Sequence, residues 1–281
     1  MVMIRGHGLA ALAMSAVAVL AGCGDSNDQG DKHVALGHVH GLGVNPADGT
    51  LYAASHHGLF RVSGNDAPEQ IAGRTQDFMR FTIVGPDNFL ASGHPGPDDS
   101  GQPPHLGLIE TTNGGQTWTS VSLSGEADFH AMEAKRDTVY GYDSQSRQLM
   151  TSTDRHNWNR EATSAIADIA VAPDVAGELI ATTRDGPTRS TDGGQTFTIL
   201  ASAPLLRLVD WPDADRLLGV APEGTIYVSS DRGANWTRRG QVAGNPQAIT
   251  TGGETDIYVA TEDAINRSSD DGATFSVFER F

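Results

Sequence analysis

The sequence predicts an all-β fold: six four-stranded blades set around a channel, a six-bladed β-propeller. Three observations predict it. A short phrase recurs five times at nearly constant spacing, three β-rich segments precede each recurrence, and helix signals are absent beyond the first stretch of the chain. The phrase reads TTNGGQTW around Asn113, STDRHNW around Asp154, STDGGQTF around Asp192, SSDRGANW around Asp231 and SSDDGATF around Asp270. The steps between those central residues are 41, 38, 39 and 39. A period near forty is the mark of a radial or stacked repeat. A seventh blade would need a seventh repeat, and a β-sandwich would not repeat at this interval.

The blades can be justified in order. The first begins near His38 with GHVHGLGV, TLYAAS, GLFRV and PEQIA, and its last turn, SGNDAP, lacks the phrase. The second begins near Phe78 and carries an insertion, PGPDDSGQPP, too rich in Pro and Gly for a strand; loops of this kind often sit at function. The third begins near Phe129. The fourth runs AIADIAVA, ELIATT, GPTRS and QTFTIL, the fifth LLRLVDW, RLLGVA, GTIYVS and NWTRRG, the sixth QAITTG, DIYVAT, AINRS and TFSVFE. β-Branched and aromatic residues between Gly-rich turns are what propeller strands need.

The phrase has a local physical sense. An Asp or Asn side chain binds backbone N–H groups just ahead of it, and Gly supplies the positive φ that closes the turn. Asn113, Asp154, Asp192, Asp231 and Asp270 are therefore read as structural staples, with Phe197 plugging the space between sheets. The copy at Asp154 is one residue short and lacks its Gly, so its turn should be distorted. The phrase resembles the Asp-box, or BNR repeat, of the sialidase/neuraminidase-like propellers. With HVHGLGVNP, SHHGLF and ASGHPGP, the chain looks similar to bacterial Asp-box lipoproteins often labelled glycosyl hydrolases. That resemblance implies the fold; it implies glycan hydrolysis only by analogy. The Arg-Ile-Pro motif of sialidases is absent, the first blade reading GLFRVS, and no tyrosine matches their nucleophile.

The amino terminus reads as a lipoprotein signal over residues 1–22. Arg5 gives a basic start, an apolar stretch runs from Leu9 to Leu20, and LAGC ends at Cys23, the only cysteine. The pattern resembles a lipobox: cleavage before Cys23, then acylation (palmitate among the acyl groups) of this residue. Residues 23–33 form a polar tether and residues 34–281 the propeller. An extracytoplasmic lipoprotein anchored to a bacterial membrane, at the cell surface or in the periplasm, is the expectation. A net charge of −16 with only Lys32 and Lys135 as lysines excludes a basic nucleic-acid footprint.

Chemistry concentrates where first strands start and second strands end, since both emerge on one face. His38, His40, His56, His57, His94, His105 and His130 fall in blades one to three and are expected on that face. Converging imidazoles suit Zn, Cu(II) or Ni, so Zn or Cu is the candidate cofactor, with at least three histidines on one ion. The alternative is a polar channel mouth. Acidic and cationic residues, among them Asp77, Asp128, Arg80, Arg184 and Arg207, are expected to fill the other half of the face. From that half, Asp143, Asp168, Asp185, Glu223 and Glu262 are candidate catalytic carboxylates for glycoside hydrolysis. Three functions follow: a membrane-anchored propeller binding a ligand, through a metal, at the histidine face; a sialidase-like exo-glycosidase acting on glycans; or a protein-assembly scaffold.

Overall fold

The computed structural model describes residues 36–97 and 99–281; Cys23, the signal segment and the tether lie outside the described residues. The chain forms six four-stranded antiparallel sheets, each from consecutive strands. The first contains β1 (Val39–Val44), β2 (Leu51–Ser55), β3 (Gly58–Val62) and β4 (Glu69–Gln70). The second contains β5 (Asp77–Gly85), β6 (Asn88–His94), β7 (Leu108–Thr111) and β8 (Thr119–Ser122). The third contains β9 (Phe129–Lys135), β10 (Thr138–Asp143), β11 (Gln148–Ser152) and β12 (Asn159–Thr163). The fourth contains β13 (Ile166–Val171), β14 (Leu179–Thr183), β15 (Gly186–Ser190) and β16 (Thr198–Ile199). The fifth contains β17 (Leu208–Asp213), β18 (Arg216–Val220), β19 (Thr225–Ser229) and β20 (Thr237–Gln241). The sixth contains β21 (Ala248–Gly252), β22 (Asp256–Ala260), β23 (Ala264–Ser268) and β24 (Ser276–Arg280). Each first strand packs beside the next, and β21 returns to β1, so the ring closes around a channel.

Stability comes from six apolar clusters, one at each seam between blades. The aromatic ending each repeated phrase wedges into the seam with the preceding blade. Trp118 joins Tyr52 and Phe78, Trp158 joins Phe129 and Met150, Phe197 joins Leu149 and Leu179, Trp236 joins Ile180 and Leu217, and Phe275 joins Ile226 and Ile257. The first blade has no such phrase. There Phe278 and Phe281, from the end of the chain, fill the seam with Leu36, Leu42 and Tyr258, and Gln247 Oε1 accepts from Val39 N at 2.9 Å.

The phrase turns share one hydrogen-bond pattern. Asp192 Oδ1 accepts from Thr196 N at 3.0 Å while Gly194 N donates to Ser190 Oγ at 2.9 Å, and the turns at Asn113, Asp231 and Asp270 repeat it. At Asp154 the turn is tightened: the bonds go to His156 N and Asn157 N, two and three residues on. The residue after the central Asp or Asn always has positive φ, even where it is Arg155 (65°), Arg232 (59°) or Asp271 (57°). Each of those three reaches back to the preceding blade, through Arg155–Glu110 (2.5 Å), Arg232–Glu178 (2.9 Å) and Asp271–Arg216 (2.8 Å). An ion pair across the seam offsets the steric cost of left-handed backbone there.

A β-bulge near the start of the first strand recurs in blades one to four. Val39 faces Ser55 and Gly41 faces Ala54, so His40 is the extra residue; Met79, His130 and Ala167 hold the same place. Bulges re-aim a side chain out of the sheet's alternation. Below this level Arg80 braces the ring. It donates to the His40 carbonyl at 3.3 Å and to Asp168 Oδ1 at 2.7 Å, and Asp168 Oδ2 accepts from Val209 N at 3.0 Å. Towards the opposite mouth the channel widens into a cavity of 470 Å³ lined by Glu133, Lys135, Asp210 and Thr251 among others.

Candidate functional site

Strand register makes blades one, two and three equivalent at the channel mouth. Two residues before each bulge stand His38, Asp77 and Asp128; opposite them, at the end of the second strand, stand His56, His94 and Ser144. Between adjacent blades the same step is taken twice. His56 Nδ1 meets Asp77 Oδ1 at 2.9 Å, and His94 Nε2 faces Asp128 Oδ1 at 3.7 Å.

Two clusters result. In the first, His40 Nε2 lies 3.3 and 3.4 Å from the two ring nitrogens of His56, which meets Asp77; the His38 ring is 4.6 Å from that of His40. In the second, Asp128 Oδ2 accepts from His130 Nε2 at 2.9 Å and from Ser144 Oγ at 3.1 Å, and His105 Nδ1 lies 3.8 Å away. One ligand atom each from His40, His56 and Asp77, or from His94, Asp128 and His130, fits within 4.8 Å. Ligand atoms around an ion with bonds of about 2.0–2.1 Å stand roughly 3.3 Å apart, close to these separations.

Electrostatics keep His40 in its ligating form. Burial, then the neighbouring His38, His56 and His130 and the Arg80 charge, push His40 down to about 3. Burial followed by His56 and Arg207 also lowers His38. Burial alone would raise the Asp128 carboxyl, but its bond to His130 and the charges of His130 and His94 outweigh that and hold it below its ordinary value.

Several placements differ from the sequence expectation. Three histidines on one ion do not converge; each three-residue group is two imidazoles and one carboxylate. Asp77 and Asp128 belong among the histidines, not to a separate acidic half. His57 joins neither cluster: its ring lies against Gly37, and its backbone binds Ser55 Oγ and Gln70 Nε2. His105 precedes β7 in the insertion loop instead of beginning that strand. Among the catalytic candidates, Asp143 is buried and saturated, accepting from Asp128 N, Gln145 N, and Ser146 N and Oγ. Asp168 is buried in the Arg80 brace. Asp185 stands exposed beside Arg184; Glu223 is exposed; and Glu262, also exposed, binds Asn245. Asp77 and Asp128 had a signal that spacing alone did not reveal: HVH, DFM and DFH are one motif in three blades, with the ligand type exchanged at its ends.

No family profile and no curated protein matches this sequence. Solved structures do. A gluconolactonase-like protein superposes with a TM-score of 0.61 at 13% identity, covering 81% of this chain and 86% of the other. A chain of the nidogen/laminin complex gives 0.60 at 14%, covering 82% and 95%. YCF48 from Cyanidioschyzon merolae gives 0.57 at 13%, covering 84% and 96%. The shared feature is the propeller. Identities this low establish the fold alone.

Proposed function

We propose that this protein is a membrane-anchored, extracytoplasmic propeller whose histidine-rich face binds a transition-metal ion, Zn(II) or Cu(II), at His40, His56 and Asp77. The observation that supports this reading most is the convergence of two imidazoles and a carboxylate at the seam of blades one and two. Imidazole with carboxylate is a borderline donor set that suits both ions. A neutral His40 leaves a lone pair for the ion without first losing a proton. The strongly acidic surface would draw cations towards the face. Attachment through Cys23 would hold the site near a membrane.

The test is a titration of the purified full-length chain in detergent with Zn(II) and with Cu(II), beside a His40→Ala/His56→Ala variant. The reading expects the variant to lose one equivalent of bound metal. Equal, weak binding by both proteins overturns it. A second reading, a protein-docking face, is favoured by the neighbour solved within a nidogen/laminin complex. It predicts capture of a protein partner that survives the double substitution.

A further inference from the structure

The second cluster carries an argument of its own, and it turns on a proton. His94 Nδ1 lies 2.8 Å from the carbonyl oxygen of Pro104. A carbonyl only accepts, so Nδ1 bears a proton and, in the neutral ring, Nε2 presents a lone pair. That lone pair faces Asp128 Oδ1 at 3.7 Å, too far for a hydrogen bond. Asp128 is 2% exposed, and its Oδ1 has no hydrogen-bond partner. In that form two acceptors face each other beside a buried carboxylate, which costs free energy unless a cation lies between them. His105 Nδ1, also buried and without a partner, points to the same carboxylate from 3.8 Å.

We infer that Asp128 anchors a second metal centre, with His94 and His130 as the imidazole ligands and the Pro104–His105 stretch beside it. The donor set is two nitrogens and one oxygen, the three-ligand set of an open Zn(II) site whose fourth position takes water. The end of the insertion supplies the Pro104 carbonyl that fixes the His94 tautomer. Backbone carbonyls commonly set ligand histidines in this way. On the other side Ser144 donates to Asp128 Oδ2, and Asp143 accepts from Asp128 N at 3.0 Å, so the carboxylate is held before any ion arrives. The first cluster differs in its carboxylate: the Asp77 side chain is 26% exposed, that of Asp128 3%. The Asp128 centre stands on different residues from the His40 site and does not depend on it.

The experiment uses the full-length chain carrying His40→Ala/His56→Ala, so that remaining binding reports the Asp128 centre. Co(II) is followed by its visible absorption, and Zn(II) by competition with a chromophoric chelator. One tight equivalent should remain. Adding Asp128→Asn or His94→Ala should weaken it at least ~100-fold, and Ser144→Ala about 10-fold, the usual range for a residue that orients a ligand. No binding in the His40/His56 variant overturns the inference, as does binding that neither Asp128→Asn nor His94→Ala moves. Should Asp128→Asn fail to fold by circular dichroism, the partly exposed His94→Ala decides alone. If wild type and the His40/His56 variant bind metal identically, the His40 proposal falls and this one stands.

Discussion

His56 and Asp77 come from different blades and share a hydrogen bond of 2.9 Å, and the propeller repeats the juxtaposition one blade on with His94 and Asp128, 3.7 Å apart and not hydrogen-bonded. Asp77 therefore orients His56 towards His40. Asp77→Asn should weaken metal binding at the first site by at least about 10-fold while leaving the Asp128 centre untouched. Site-resolved stoichiometry from the two-metal titration checks this; a change at both sites would mean that the two clusters act as one.

Asp143 should behave as a structural residue. It is 3% exposed and holds the turn that carries Ser144, so Asp143→Ala strands the buried Asp128 N–H and unties the donors of Gln145 and Ser146. Loss of about 2–3 kcal/mol in chemical denaturation is expected. If the variant is as stable as wild type yet loses a hydrolytic activity, the catalytic assignment regains its place.

The Arg80–Asp168 pair spans the channel with side chains 14% and 1% exposed. Removing one partner leaves a buried charge, so Arg80→Ala should cost about 3–5 kcal/mol. Replacing both, Arg80→Met with Asp168→Leu, should recover most of it. An equal loss in the double variant would show that the brace acts through the His40 carbonyl instead.

Glu133 supplies a pH dependence. Burial first, offset by Lys135 and reinforced by Asp210, raises it from 4.5 to about 7. The folded state therefore holds the proton more tightly than the unfolded chain. Its contribution is fully present below 4.5 and is lost as pH rises through 7. Each pH unit in that window is worth at most about 1.4 kcal/mol. Glu133→Gln cannot ionise, so its melting temperature should gain on wild type between about pH 5 and about pH 8. A constant offset would mean that Glu133 is ionised throughout.

The anchor is tested by fractionation. Cys23→Ser should leave the protein unprocessed or release it from the membrane fraction. Identical soluble, cytoplasmic behaviour of both forms would remove the lipoprotein reading.

The period of the repeated phrase made the blades legible, because the Asp turn, its Gly and its terminal aromatic are local chemistry written at one interval. The histidine face was legible for a similar reason: His40, His56, His94 and His130 sit at strand ends whose direction alternates predictably. What escaped was the partner across each seam. Asp77 and Asp128 read as part of a separate acidic half of the face until the ring places the start of one blade against the second strand of its predecessor. The bulges at His40 and His130 escaped too, since an extra residue in a strand leaves the apolar alternation nearly unchanged. His57 misled because adjacency to His56 in sequence becomes opposition in direction along an extended chain.

Every sheet is made from consecutive strands, and Leu36, the first described residue of the ring, packs in the same apolar cluster as Phe281. Among the described residues no strand is exchanged to lock the ring, so its opening point is a matter of genetics more than of architecture. A circular permutant joined across the ends and cut in the loop between β16 and β17 should keep all six seams. It would also separate both proposed metal sites from the termini, allowing the ring to be immobilised by the far side while the face stays free.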